Sequence, residues 1–199
     1  TALGKLKEAH KNSDIAAIDA AIAGSVAICK DGKYFNRFYF VKPNGEVTHY
    51  DKKHLFTYGG EHKRFTAGDK RVVVEFRGVR ILLEICYDLR FPIWSRNHGD
   101  YDMILYVASW PTPRVGAWSA LLVARAIENQ AYVMGVNRTG DEPTLSYSGD
   151  SAVIDYYGKC VVECGSEECV ANVEIDIDKL NAFKDKFNVS ADADEFKLI

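Results

Sequence analysis

The chain has 199 residues, of which 47% are hydrophobic and 27% charged, and this composition is typical of one globular domain with a buried core. Its 25 Lys and Arg against 28 Asp and Glu give a net charge of −3, which argues against nucleic acid as a partner. No apolar run approaches the roughly 18 residues of a membrane span, so we expect no membrane partner and a cytoplasmic protein.

In chain order, apolar residues at helical spacing first predict a surface helix over residues 3–11. Short apolar or alternating runs bounded by turn residues then predict strands, of which the one ending at Ile85 should be buried on both faces. Further helices are expected at Pro92, over 117–130 and over 177–187. The strands are predicted at residues 22–29, 36–41, 46–52, 72–76, 79–85, 103–108, 132–137 and 151–155. The pattern indicates one α/β layered domain with mixed strand directions.

Residues 161–175 are predicted as two further strands joined at Gly165-Ser166. Cys160, Cys164 and Cys169 lie in and beside this segment, but their spacing and the lack of a nearby histidine argue against a metal site. The chain has five cysteines, and an odd number in a chain of this length favours reduced thiols over a framework of disulfides.

Cys86 lies at the end of the predicted buried strand and directly before a helix start. Such a junction exposes a nucleophile, directs backbone N–H groups at it and lowers the pKa of a thiol. Most free cysteines, by contrast, are small buried apolar residues. From its position alone, Cys86 fits either interpretation.

Two lysines and a histidine lie at the end of the strand predicted over residues 46–52. Strand alternation sends Lys52 and His54 to one face and Lys53 to the other. An inward ammonium beside a nucleophile would stabilise a developing oxyanion, whereas at a solvated strand end it would have no such role. Glu61, in the charged loop that follows, is by the same reasoning either a surface carboxylate or part of a site.

Four segments carry a combined pattern: Lys-x-His-Leu-Phe at 52–56, Glu-His-Lys-Arg-Phe-Thr-Ala-Gly at 61–68, Cys-Tyr-Asp-Leu-Arg-Phe-Pro at 86–92 and Ala-Arg-Ala-Ile-Glu-Asn-Gln-Ala at 124–131. Together they resemble the nitrilase superfamily of carbon–nitrogen hydrolases. The resemblance runs from about residue 22 to the C-terminus. The 86–92 string followed by Trp-Ser-Arg-Asn at 94–97 is most similar to the family's bacterial omega-amidase branch.

The resemblance implies a nitrilase-like α/β fold, a four-layer α-β-β-α sandwich with two mixed sheets, in a single domain over residues 1–199. It implies that Cys86 is the nucleophile and that Lys52 lies beside the tetrahedral intermediate. Glu61 would orient the substrate, and the backbone N–H of Tyr87 would face the oxyanion. Lys53 would be the solvent-facing neighbour of Lys52.

The same resemblance has implications for one ion pair, for cofactors and for the oligomeric state. Arg125 and Glu128 are expected to form a structural ion pair and not to contact substrate. No metal or cofactor is implied, because a thiolate, an ammonium and a carboxylate supply the charge and proton handling. A homodimer or larger homo-oligomer is expected, with the apolar helix at residues 117–127 contributing to the contact.

One feature departs from the family pattern. The family's principal general base is a glutamate before the lysine, usually directly after a proline, and this chain has no Pro-Glu pair. Glu8 and Glu46 are the glutamates upstream of Lys52; one lies on the predicted surface helix, the other in a turn, and neither fits. We therefore expect a domain shortened at its N-terminus, without the family's first strands and first catalytic glutamate.

The implied activity is hydrolysis of a small carboxylate-bearing amide, an omega-amide of a 2-oxo acid such as 2-oxoglutaramate, to acid and ammonia through a cysteine thioester. Arg114 is either a surface arginine or a bidentate contact to the substrate carboxylate, and Trp110 is a candidate pocket wall. The alternatives are a carbamoylase or N-acyl-amino-acid hydrolase of the same family, and a non-catalytic module that serves as a binding or assembly partner.

Overall fold

The computed structural model describes residues 19–197. The predicted helix at residues 3–11 lies outside this range. The described elements are β1 (Ile22–Lys30), β2 (Lys33–Val41), β3 (Val47–Asp51), β4 (Val73–Phe76), β5 (Val79–Ile85), α1 (Pro92–Ser95), β6 (Met103–Ala108), α2 (Val115–Asn129), β7 (Tyr132–Asn137), β8 (Thr139–Glu142), β9 (Leu145–Ser148), β10 (Ala152–Ile154), β11 (Cys160–Glu163) and α3 (Ile177–Lys186).

The smaller sheet contains β1, β2 and β3 in that order, all antiparallel. Its first hairpin turns at Asp31 and Gly32, whose φ values of +51° and +74° match the left-handed geometry that two-residue hairpin loops favour. This hairpin joins the first two predicted strands as an antiparallel pair. The next strand, β3, pairs with β2 from Arg37–Asp51 to Val41–Val47.

The larger sheet has six strands in the order β11-β10-β7-β6-β5-β4. Its three central strands, β5, β6 and β7, run parallel, while the outer strands pair antiparallel, so the sheet is mixed. In parallel strands the carboxyl ends meet at one edge, which is where α/β proteins place their sites. Here that edge gathers the chain just after Ile85, Ala108 and Asn137.

The core lies on both faces of the larger sheet. On one face Leu82, Ile104 and Val133 pack against Trp118 and Leu122 of α2. On the other face, β5 and β6 pack against the smaller sheet and against α3, through Phe38, Phe40, Ile81, Leu83, Leu105 and Leu180. This layering confirms the α/β class. In the described range the larger sheet is the mixed one, and the smaller sheet is antiparallel.

Two parts of the chain differ from the prediction. Of the two strands expected in residues 161–175, only β11 forms, and the prediction of the second strand is wrong. Residues 165–172 are exposed and therefore have no buried face to hold a strand against the sheet. The β8–β9 ribbon was not anticipated; its strands are short and largely exposed, so the sequence carries little alternation there.

Within residues 19–197, every helix is too short or too polar to cross a bilayer. The same range holds no group of three or more His, Cys, Asp or Glu placed to bind a metal ion.

Candidate active site

Cys86 is the first residue after β5 and begins a 3-10 turn that runs to Arg90. Its φ is +49°, in the left-handed region that residues with a side chain seldom adopt. Such conformations persist only where the surrounding structure fixes them, and they are concentrated at functional sites. The sharp turn carries Cys86 out of the buried strand and onto the wall of a cavity.

Lys52 directly follows β3, on the same side as the buried Tyr50, as strand alternation requires. Only 3% of Lys52 is exposed, and its Nζ lies 2.7 Å from Glu61 Oε2. Of the two positions that the sequence left open, the Lys52 ammonium therefore takes the inward one. Lys53 is half-buried and not simply solvent-facing, because its ammonium lies 5.3 Å from the centre of the Trp94 ring.

Glu61 opens a second short 3-10 turn and points inward. Its carboxylate accepts hydrogen bonds from Lys52 Nζ, from the Phe56 backbone N–H at 2.6 Å and from Asn36 Nδ2 at 3.2 Å. Burial alone would raise the pKa of Glu61, but Lys52 and these donors outweigh it and hold the pKa below its ordinary value. Glu61 is thus an ionised, fixed carboxylate.

One cavity of about 560 Å³ joins these three side chains. Cys86, Lys52 and Glu61 all line it, although they come from three separate segments of the sequence. The rest of the wall comes from β1, β2 and the ends of β5, β6 and β7, including Ser25, Asn36, Tyr87, Arg90, Ser109, Trp110, Arg114, Asn137 and Arg138. A thiol, an ammonium and a carboxylate therefore face one volume the size of a small-molecule site.

Residues 2–185 match the family model described as carbon-nitrogen hydrolase. The chain belongs to this family. It is 50% identical over 182 residues to omega-amidase YafV of Escherichia coli K12, across 90% of this chain and 71% of that protein. It is 40% identical over 159 residues to the 2-oxoglutaramate amidase of Bacillus subtilis, across 78% and 61%.

A crystal structure of a carbon–nitrogen hydrolase superfamily protein from Xanthomonas campestris, with an arsenic adduct in its active site, superposes with a TM-score of 0.89. The two proteins are 44% identical, and the match covers 92% of this chain and 72% of that one. The fold of the hydrolase is therefore that of the nitrilase superfamily, as the sequence motifs indicated.

The thiol of the hydrolase is less acidic than its position in the sequence suggested. Burial raises the pKa of Cys86 and outweighs the lowering by the Lys52 ammonium and by a hydrogen bond with the backbone of Ser109. The carboxylates of Glu61 and Asp88 raise it further. The prediction of a lowered thiol pKa is wrong, because Cys86 begins a 3-10 helix of only five residues and desolvation dominates.

Trp110 and Arg114 both line the cavity. Trp110 is buried, and its indole Nε1 donates to the Arg114 carbonyl at 2.7 Å, so the two residues form one rigid corner. The Arg114 guanidinium lies 5.2 Å from the centre of the Phe56 ring and forms no ion pair with any residue in 19–197. Arg90 stacks similarly, 5.0 Å from the centre of the Trp110 ring.

Arg90, Asn137 and Ser109 were not singled out from the sequence. Arg90 lies in the same turn as Cys86, and Ser109 and Asn137 lie at carboxyl ends of parallel strands, which is the signal that identifies them. Asn137 Oδ1 accepts from the Trp110 backbone N–H at 2.7 Å, and its Nδ2 donates to the Trp110 carbonyl at 3.0 Å. The side chain of Asn137 thus fixes the cavity wall.

Arg125 and Glu128 form the predicted ion pair, with Arg125 Nη1 2.9 Å from Glu128 Oε1. Arg125 Nη2 also donates to the Leu89 carbonyl at 2.7 Å, which ties α2 to the turn that begins at Cys86. Neither side chain lines the cavity. The two residues therefore contact the turn that begins at Cys86 from outside the cavity.

Among the residues that the structure describes, Glu61 is the one carboxylate on the cavity wall. Glu46 lies in an exposed turn and pairs with Lys42 at 3.0 Å, and Glu8 lies outside the described range. As the sequence indicated, Glu46 is therefore not positioned to act as a general base.

Proposed function

We propose that this protein is an amidase that hydrolyses the omega-amide of a 2-oxo acid, such as 2-oxoglutaramate, to the acid and ammonia. The supporting observation is the shared cavity of Cys86, Lys52 and Glu61 in a chain 40–50% identical to proteins named omega-amidase and 2-oxoglutaramate amidase. A thiol, an ammonium and a carboxylate together provide the groups for acyl transfer through a covalent intermediate.

The proposed reaction begins when Cys86 Sγ attacks the amide carbonyl carbon. The carbonyl oxygen takes the negative charge and is stabilised by the Lys52 ammonium and the Tyr87 backbone N–H. The thiol proton passes to a base and then to the nitrogen, which leaves as ammonia when the carbon–nitrogen bond breaks. Water then attacks the thioester and releases the acid together with the free Cys86 thiol.

Glu61 has the contacts of an orienting residue in this scheme. Three hydrogen bonds fix its carboxylate, and the shortest, to the Phe56 N–H and to Lys52 Nζ, are charge-assisted. Glu61 therefore holds the ammonium of Lys52 in place against the oxyanion. A base that accepts the thiol proton is not assigned to any residue between 19 and 197.

The charge of the cavity favours a substrate with a carboxylate. Arg90 and Arg114 line the wall without a carboxylate partner in the described range, and their guanidinium groups stack on Trp110 and Phe56. Planar guanidinium groups bind carboxylates through two parallel hydrogen bonds. We propose that Arg114 binds the carboxylate of the substrate while Trp110 forms the pocket wall.

The test is an intact-mass measurement on the protein mixed with 2-oxoglutaramate, together with an assay for released ammonia. We expect a transient acyl adduct, mapped to Cys86 by peptide mass spectrometry, and no adduct in Cys86→Ala. Arg114→Met should raise KM for 2-oxoglutaramate while leaving hydrolysis of an uncharged short amide little changed. A carbamoylase or N-acyl-amino-acid hydrolase would instead process N-carbamoyl or N-acyl amino acids faster.

The second candidate is a non-catalytic module, and one observation favours it: the described cavity wall carries one carboxylate where the family uses two. A well-folded protein that forms no adduct and releases no ammonia from any amide in the panel would support this alternative.

We also propose a cytoplasmic homo-oligomer. All five cysteines are free thiols, which suits a reducing compartment. Ile127 of α2 and Tyr157 are large apolar residues that remain exposed, which is typical of a surface that contacts another copy. Light scattering coupled to size exclusion measures the assembly, and we expect Ile127→Asp to reduce the mass of the particle towards that of one chain.

A further inference from the structure

Asp88 is a fully buried carboxylate two residues after Cys86, and the mechanism above does not use it. It accepts four hydrogen bonds. The backbone N–H of Ile85 donates to Oδ2 at 3.0 Å, and the Tyr50 hydroxyl donates to the same oxygen at 2.8 Å. The backbone N–H and the Nδ1 of His54 contact Oδ1 at 2.9 and 2.8 Å.

These donors come from two separate segments. Ile85 precedes the nucleophile, whereas Tyr50 and His54 flank Lys52 on both sides. The Tyr50 hydroxyl also accepts from the Lys53 backbone N–H at 3.0 Å, which ties the residue after Lys52 to the same cluster. One carboxylate therefore links the turn that carries the nucleophile to the turn that carries the ammonium.

We propose that Asp88 is a positioning residue that fixes the distance between the Cys86 sulfur and the Lys52 ammonium. The inference rests on the roles proposed above for Cys86 and Lys52. The left-handed backbone of Cys86 needs surrounding contacts to hold it, and the bond from Ile85 to Asp88 closes the turn at that point. Misplacement of reacting groups by about 1 Å is enough to reduce a rate about 100-fold.

Asp88 acts on the pKa of the Cys86 thiol in two opposite ways. Its charge raises the pKa, whereas its positioning of the Lys52 ammonium lowers it. The groups that act on the thiol by charge are Lys52, which lowers its pKa, and Glu61 and Asp88, which raise it. If Asp88 acted as a charge alone, Asp88→Asn would lower the thiol pKa. If Asp88 positions Lys52, losing it moves the ammonium away, and the pKa rises.

The experiment measures the rate at which iodoacetamide alkylates Cys86 between pH 7 and 11, with the modified peptide quantified by mass spectrometry. For Asp88→Asn we expect the midpoint to rise by about one pH unit, equivalent to about tenfold less thiolate below it. In turnover with 2-oxoglutaramate we expect kcat to fall at least tenfold with KM changed by less than about threefold.

Asp102→Asn is the matched control. Asp102 is also buried, and it accepts from the Arg80 backbone N–H at 3.1 Å and from Arg80 Nε at 2.9 Å, but unlike Asp88 it bonds to neither the turn at Cys86 nor the turn at Lys52 within residues 19–197. This variant should lose stability while its Cys86 alkylation profile stays at the wild-type midpoint. A merely structural role for Asp88 predicts the same result for both variants.

A fall in the midpoint for Asp88→Asn, or no change in a folded protein, would overturn the inference. If Asp88→Asn does not fold, Tyr50→Phe decides, because it removes one hydroxyl from the cluster and keeps every charge; an unchanged midpoint there would also overturn it. Absence of an acyl adduct in wild type would refute the proposed function, but the alkylation comparison would still test Asp88.

Discussion

Glu61→Gln is the most informative single change in the site, because it removes one charge and keeps the side-chain shape. The Lys52 and Glu61 side chains are only 4% and 14% exposed, and their charged atoms are 2.7 Å apart. Glutamine cannot neutralise the ammonium, and its amide nitrogen faces donors where Glu61 offered an acceptor. The variant therefore leaves a buried ammonium without its counter-charge.

Breaking a buried ion pair by removing one partner costs about 3–5 kcal/mol. In a domain of this length, 1 kcal/mol corresponds to a shift of about 2–4 °C in Tm, so we expect Tm to fall by about 6–20 °C at pH 7. The pKa of Glu61 is below its ordinary value of 4.5 in the folded protein. Its stabilisation is thus present above pH 4.5 and lost as the pH falls through the folded-state pKa.

Thermal unfolding followed by circular dichroism at pH 7 and at a series of pH values below 4.5 measures both effects. Wild type should lose more stability than the variant across the acid range, so that the two Tm values converge. Glu46→Gln is the control, because its pair with Lys42 is exposed and should contribute at most about 1 kcal/mol. Equal Tm values for wild type and Glu61→Gln at pH 7 would refute the reasoning.

Other changes test the core and the thiol. Leu180→Ala removes a fully buried side chain where α3 meets the sheets, and the midpoint of urea unfolding should report a loss of about 2–5 kcal/mol. Gly135→Ala would place a Cβ 2.7 Å from Trp118 and Leu122 and should lower the free energy of unfolding by about 1–3 kcal/mol. Gly116→Ala, in open space on α2, is the control and should not destabilise the protein. Equal effects of the two changes would contradict this packing. Since burial raises the pKa of Cys86, iodoacetamide should alkylate it at pH 8 more slowly than a cysteine in an unstructured peptide, and a faster rate would contradict the desolvation argument.

The central strands were the most predictable part of the fold. Residues 103–108 and 132–137 form β6 and β7 with the predicted bounds, because strands buried on both faces are continuous apolar runs with polar residues at each end. The strands predicted at residues 72–76 and 79–85 leave two residues, Arg77 and Gly78, to connect them, and both adopt the positive φ of a hairpin loop. Short exposed strands such as β8 and β9 have no such signal.

The site could be predicted only in part. Strand alternation and position assign Lys52 and Cys86 to plausible faces, but motifs, and not spacing, suggested that they share a cavity with Glu61. Properties that depend on the three-dimensional surroundings of a residue could not be predicted from the sequence. The raised pKa of the Cys86 thiol follows from desolvation. The cluster around Asp88 joins it to His54 and Tyr50, which precede it by 34 and 38 positions in the sequence. Neither the desolvation of Cys86 nor the contacts of Asp88 can be inferred from a single sequence.

Because the backbone of Cys86 is left-handed, the stability of the fold and the proposed catalysis favour different residues at position 86. Glycine adopts a φ of +49° freely, so the conformation is one that suits glycine best. Glycine has no sulfur to acylate. Engineering that ranks variants by heat tolerance or soluble yield would therefore not detect the loss of the proposed nucleophile, and only a turnover screen would retain it.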